Sequence, residues 1–285
     1  MASGLRSIDR EAYAALYADP LPVRPPERVY HLGHSLVGRD MPAMLAQLGT
    51  HGYESQLGWG SPLRQHWEPD EPVNGFEVEN DHPRYRDAHE AAGSGDYDAF
   101  VVTEALGYQS RTPWKGPQAY LRNWATKAWG ANPETRVYLY ATWRGLDHDG
   151  DWFDLIDSEL RDYWEGEMLL KTLAYRDVDQ PIYVIPGGLV MAAVARAAEA
   201  GEDLGPITNR RDLFSDEIHF NDYGAYLMAL THYAVLYGRS PVGLPHALTR
   251  ADGTPADDVG AEAARRMQEI VWEVVTALPQ TGVRG

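Results

Sequence analysis

Two short stretches of this 285-residue chain hold side chains able to do nucleophilic chemistry. The first is Gly33-His34-Ser35-Leu36, which follows a strand-like apolar run and precedes a helical pattern. Ser35 is thereby expected at a helix start, where unpaired backbone N–H groups can cap a side chain or hold an anion. Taken alone it reads first as an N-cap. The second stretch is Asp216-Glu217-Ile218-His219, in the loop before a helical pattern that starts at Asp222. An Asp three residues before a His can set its carboxylate against one imidazole nitrogen. That fixes the tautomer and leaves the other nitrogen free as a base. A serine hydroxyl is too weak an acid to attack a carbonyl without such a base. Taken alone, this pair too reads first as a turn cap beside an ordinary, partly buried histidine.

The elements that must position these residues alternate along the chain. Strand-like runs stand at 28–32, 99–103, 136–140 and 181–185, with a weaker one around 53–57. Each is short, apolar on both faces and bounded by Gly, Pro, Asp or Asn, as strands buried under helices should be. Helical patterns stand between and after them at 37–48, 117–129, 152–175, 189–200 and 222–237. The alternation predicts an α/β fold of three layers, α/β/α, around a flavodoxin-like, doubly wound parallel sheet of about five strands. In such sheets ligands bind beyond the carboxyl ends of the strands, near the point where the strand order reverses. A short helix is expected at 8–18, followed by a proline-rich connector at 20–26. After a loop at 238–260, an amphipathic helix carries Ala261, Ala264, Met267, Ile270, Val271, Val274 and Val275 on its apolar side. No linker separates two cores, so residues 1–285 are expected to form one domain, with its core at about 28–237. The segment 60–95 is rich in Pro, His, Trp and acidic residues and weak in periodicity. It is expected to be a long irregular excursion with a functional role.

On this layout the two stretches resemble the first and last blocks of the SGNH (GDSL-type) hydrolase superfamily, with His34 where the namesake pattern has Asp. Asn221-Asp222-Tyr223-Gly224 is similar to what often trails the last block, and the resemblance spans about residues 28–237. It implies Ser35 as nucleophile, His219 as general base and then acid, and Asp216 as the carboxylate that orients the imidazole. It further implies an oxyanion hole made by the nucleophile's own N–H, a glycine N–H from a second block and an asparagine amide from a third. In Gly58-Trp59-Gly60-Ser61-Pro62 the glycine favoured is Gly60. The third block departs from the family, since Thr103-Glu104-Ala105-Leu106-Gly107-Tyr108-Gln109-Ser110 holds no Gly-x-Asn-Asp. Setting Gly107 on the family glycine puts Gln109 in the place of the asparagine. A carboxylate at Glu104 would repel an oxyanion unless protonated. His34 and Glu104 therefore stand as additional active-site candidates.

Composition narrows the partners. With 25 basic against 42 acidic residues the formal charge is −17, which excludes a sequence-independent nucleic-acid binder. The absence of cysteine excludes disulfide scaffolds, cysteine zinc sites and thiol nucleophiles. No apolar run approaches the ~20 residues of a membrane helix. The stretch Met1 to Ser7 lacks the apolar centre of a secretory signal, so a cytoplasmic location is expected. Trp59, Trp67, Trp114 and Trp143 fall in or beside the predicted site loops, where aromatic faces could stack on sugar rings. Asp147-His148-Asp149-Gly150-Asp151 lacks the Gly and Glu of a calcium loop and reads as solvated. His31 and His34 lack a third ligand by spacing, so no metal and no cofactor is expected. The reading is a serine esterase that removes O-acyl groups, acetyl first among them, from a carbohydrate. One alternative is cleavage of a glycosidic bond by carboxylates such as Glu104 and Asp216, which needs two acidic groups about 5–10 Å apart. Another is a non-catalytic carbohydrate-binding relative.

Overall fold

The computed structural model describes residues 4–106 and 115–285. Five strands, β1 (Arg28–His34), β2 (Gly52–Gly58), β3 (Ala99–Val102), β4 (Arg136–Tyr140) and β5 (Tyr183–Ile185), form one sheet. All pairings are parallel, in the order β2-β1-β3-β4-β5, the order of flavodoxin-like doubly wound sheets. Helices lie on both faces, so the fold is a three-layer α/β/α sandwich. In chain order they are α1 (Arg10–Leu16), α2 (Asp40–Gly49), α3 (Leu63–Trp67), α4 (Phe76–Glu79), α5 (Ala88–Ser94) and α6 (Pro117–Ala131), then α7 (Trp152–Glu159), α8 (Lys171–Leu173), α9 (Gly187–Glu199), α10 (Asp222–Tyr237) and α11 (Ala261–Ala277). Helices α2, α9, α10 and α11 pack on one another, and α3, α5, α6 and α8 form a second group.

Three sequence expectations differ from the structure. Helix α2 begins at Asp40 rather than at 37, because Ser35–Val37 make a turn in which the Val37 N–H donates to the His34 carbonyl (2.8 Å). Ser35 is therefore not an N-cap. The pattern at 152–175 is not one α-helix: residues Leu160–Leu170 between α7 and α8 are wound as π-helix. The segment 60–95 carries α3, α4 and α5, elements too short to show a helical period in sequence.

The sheet explains the route of β1 to the site. Val29, Tyr30 and Leu32 are fully buried, with Tyr30 stacked on Phe100 of β3 at 5.0 Å. Gly33 is required where β1 ends. A Cβ there would stand 2.5 Å from Thr103 Cγ2, so any larger residue would push the strand away from the β3 end. The β1/β3 junction is where the strand order reverses, and Ser35 emerges beside it.

Candidate active site

Ser35 is half-buried in the turn after β1. Its Oγ donates to His219 Nε2 at 2.9 Å, across 184 residues of sequence. On the far side of the ring His219 Nδ1 donates to Asp216 Oδ2 at 2.7 Å. Asp216 also accepts the His219 N–H (2.7 Å) and the Ile218 N–H (2.8 Å) on Oδ1. These backbone bonds, with the imidazole, hold its carboxyl down to about 2, so it is an anion at neutral pH and can only accept. The proton of a neutral His219 must then sit on Nδ1, leaving the Nε2 lone pair facing the Ser35 hydroxyl.

The loop that carries Asp216 and His219 is clamped at several points. Ser215 N–H donates to the His219 carbonyl (2.8 Å), and Leu146 N–H to the Glu217 carbonyl (2.7 Å). Trp143 Nε1 donates to the Ile218 carbonyl (3.0 Å) while its ring packs edge-on against Phe214 and tilted against Phe220. Asn221 then caps α10 by accepting from the Tyr223 and Gly224 N–H groups. Trp143 is 1% exposed, so it cannot offer a face to a sugar. This corrects its sequence reading as a substrate-stacking residue: it is core, and it supports the histidine loop. Trp67 is half-buried, edge-on to Trp124 at 4.8 Å. Trp59 is 51% exposed and donates to Glu79 Oε1 at 2.6 Å.

Gly60 lies exposed two residues beyond β2, in the left-handed region at φ +55°. Gly58, its alternative, is buried opposite His34 in the β1–β2 register, and a Cβ there would meet Ser61 Oγ at 2.5 Å. Gln109 and Trp114 lie outside the described residues.

His34 and Glu104 are both buried, and His34 links the Ser35 turn to the end of β3. Burial pushes His34 down to about 4, so its ring is neutral. Its Nδ1 accepts the Leu36 N–H (3.3 Å), which leaves Nε2–H to donate to the Glu104 carbonyl (3.2 Å). Burial pushes the Glu104 carboxyl up to about 8, so at pH 7 the neutral acid predominates. That reduces the repulsion expected between this residue and an oxyanion. It also corrects the reading of Glu104 as a carboxylate for glycosidic cleavage, because the group has no exposed surface with which to touch a sugar.

Sequence reasoning passed over His66, buried in α3 with Gln56 Nε2 2.9 Å from its Nδ1. A single His in an irregular-looking segment offers no spacing by which to find it. Among the described residues no group of three or more His, Asp or Glu is placed to hold a metal ion. No helix among them is long and apolar enough to cross a membrane. A separate cleft of about 1160 Å³ runs along α2 and β2, lined by residues including Arg39, Tyr53, Arg84 and Arg250. Neither Ser35 nor His219 lines it.

No family model matches the sequence, and no curated protein matches it. Two solved structures are similar at 13% identity. A DUF4886 family protein from Bacteroides uniformis gives a TM-score of 0.47 over 87% of this chain and 94% of its own. A carbohydrate esterase family 3 protein from Talaromyces cellulolyticus gives 0.34 over 72% of this chain and 93% of its own.

Proposed function

We propose that this chain is a serine hydrolase of SGNH type, one domain over residues 1–285, that cleaves esters through an acyl-enzyme. The observation that carries the reading is the relay Ser35 Oγ–His219 Nε2–Nδ1–Asp216 at 2.9 and 2.7 Å, assembled at the strand-order reversal. In the forward step His219 Nε2 takes the Ser35 proton as Oγ bonds to the ester carbonyl carbon. His219 then gives that proton to the departing alcohol as the acyl C–O bond breaks. Water, deprotonated by the same nitrogen, releases the acid. Asp216 stabilises the imidazolium that forms in each half. The Ser35 and Gly60 N–H groups are our candidates for the oxyanion, with Gln109 as the third donor. For the substrate we favour an O-acylated, first of all O-acetylated, carbohydrate, on the strength of the exposed Trp59 face and the polar 60–95 segment beside the site.

An aryl fluorophosphonate tests the mechanism without knowledge of the substrate. It should add once, at Ser35, as read by intact mass and peptide mapping. Asp216→Asn should slow that addition by about 10²–10⁴-fold at pH 7, because an amide tolerates the wrong imidazole tautomer. Labelling elsewhere, or an Asn variant as fast as the parent, would overturn these assignments.

A further inference from the structure

The mechanism above leaves the most deeply buried ionisable group near the nucleophile without a role. Glu104, two residues beyond β3, has no exposed surface. Its Oε1 accepts the N–H of Ala105 (2.7 Å) and the N–H of Leu63 (3.3 Å). Leu63 opens α3, three residues after Gly60. The backbone carbonyl of Glu104 receives His34 Nε2–H, and the same imidazole receives the Leu36 N–H on Nδ1. Residues 34 and 36 flank Ser35, so one ring braces both sides of the nucleophile and is itself anchored on Glu104. Three segments are thus joined: the Ser35 turn, the loop carrying Gly60, and the end of β3.

We propose that Glu104 is a positioning residue, a buried tether that fixes the Ser35 turn relative to the Gly60 loop. The inference rests on the reading of Ser35 as nucleophile. Geometry calls for the protonated acid. Oε2 is buried with no hydrogen-bond partner among the described residues, and a full charge there would be unsolvated. The groups facing it do not supply a free cation. His34 and His66 are held neutral by burial, Arg64 is ion-paired with Glu71 at 3.0 Å, and Tyr163 donates its hydroxyl to the Ala105 carbonyl (3.2 Å). Ionisation above about pH 8 would place a buried anion at this junction, whose desolvation outweighs the Ala105 and Leu63 N–H bonds and the field of Arg64, and would loosen the tether.

The test compares the parent protein with Glu104→Gln and Glu104→Leu. Gln keeps an acceptor for Leu63 and Ala105, puts an NH₂ where the acid has O–H, and never ionises. Leu strands both N–H groups, which should slow the reaction at Ser35 by about 10–100-fold. Two quantities are followed: the rate of aryl fluorophosphonate addition from pH 6 to 10, and hydrogen exchange at the Leu63 amide. The parent should show a falling limb above pH 8, steepening towards tenfold per pH unit, and the Gln variant should not. The Leu63 amide should stay protected in the parent and in Gln, and exchange at least about tenfold faster in Leu. A falling limb that persists in Gln, or Leu63 protection indifferent to the loss of the carboxyl, overturns the proposal. If Glu104→Leu does not fold, the parent and Gln profiles decide. Failure of the Ser35 reading looks different: no protein, the parent included, is labelled at Ser35, and exchange at Leu63 alone then judges the tether.

Discussion

Ser35→Ala should lower turnover of an activated aryl ester by about 10⁵–10⁶-fold while leaving the fold and its stability within about 1 kcal/mol of the parent. The loss is large because in the proposed mechanism the Ser35 hydroxyl is the atom that forms the acyl bond. Residual catalysis would come from binding and the oxyanion donors alone. Stability is spared because Ser35 stands in a turn before α2, does not cap that helix, and bonds through Oγ to His219. His219→Ala should cost a similar amount, and the double variant little more than either alone, since the proposed mechanism has the two residues act as a unit. Glycosidic cleavage makes the opposite forecast: Ser35→Ala would be mild and new reducing ends would appear without acid release. A folded Ser35→Ala protein with turnover near that of the parent would sink the serine mechanism.

How far such a site can be read from sequence depends on which physical signal carries each part. The strands at 136–140 and the helix at 222–237 were legible to the residue, because Val137, Leu139 and the apolar ring of α10 record burial directly. That Ser35, Asp216 and His219 meet in space was foreseeable because two short motifs sat at matching places in the strand–helix order. The start of α2 was not, since Arg39, at its N-cap, makes no side-chain capping bond. Trp143 was misread for a simple reason: residue type says an indole is large, and only the packing of Phe214 and Phe220 around it says it is inside. The ionisation state of Glu104 was open for the same reason. A carboxyl drawn into the junction of β3, α3 and the Ser35 turn is neutral because of burial, and burial there is made by segments some 40 to 70 residues away in sequence.

That same property, ionisable groups buried without charge, sets how the protein should respond to acid. Five histidines, His31, His34, His51, His66 and His232, are buried, and burial pushes every one down. His34, His51 and His232 go to about 4 and His66 to about 3, while His31, crowded also by His232 and His51, falls well below its usual value. The ring centroids of His31 and His232 are 5.9 Å apart in the apolar layer between β1 and α10, so protonating either opposes protonating the other. In the unfolded chain all five bind protons near pH 6.5. Between that pH and about 4 the unfolded state therefore holds more protons than the native one, and stability falls as the pH falls. Each histidine should lose about 1–2 kcal/mol between pH 7 and 5. Glu104 works in the other direction: its native acid is already protonated, so acidification relieves about 2 kcal/mol of its cost. The histidines win. A net loss of about 5 kcal/mol is a large share of the stability of a typical domain and corresponds to a fall in Tm of about 10–20 °C. Thermal melts at fixed ionic strength across this range should show it. His31→Leu and His232→Leu, which remove the unpartnered ring nitrogens from an apolar layer, should each flatten the pH slope by close to one proton. A melting temperature constant from pH 7 to 5, or a slope unchanged in both variants, would show that these rings are not held neutral by the fold.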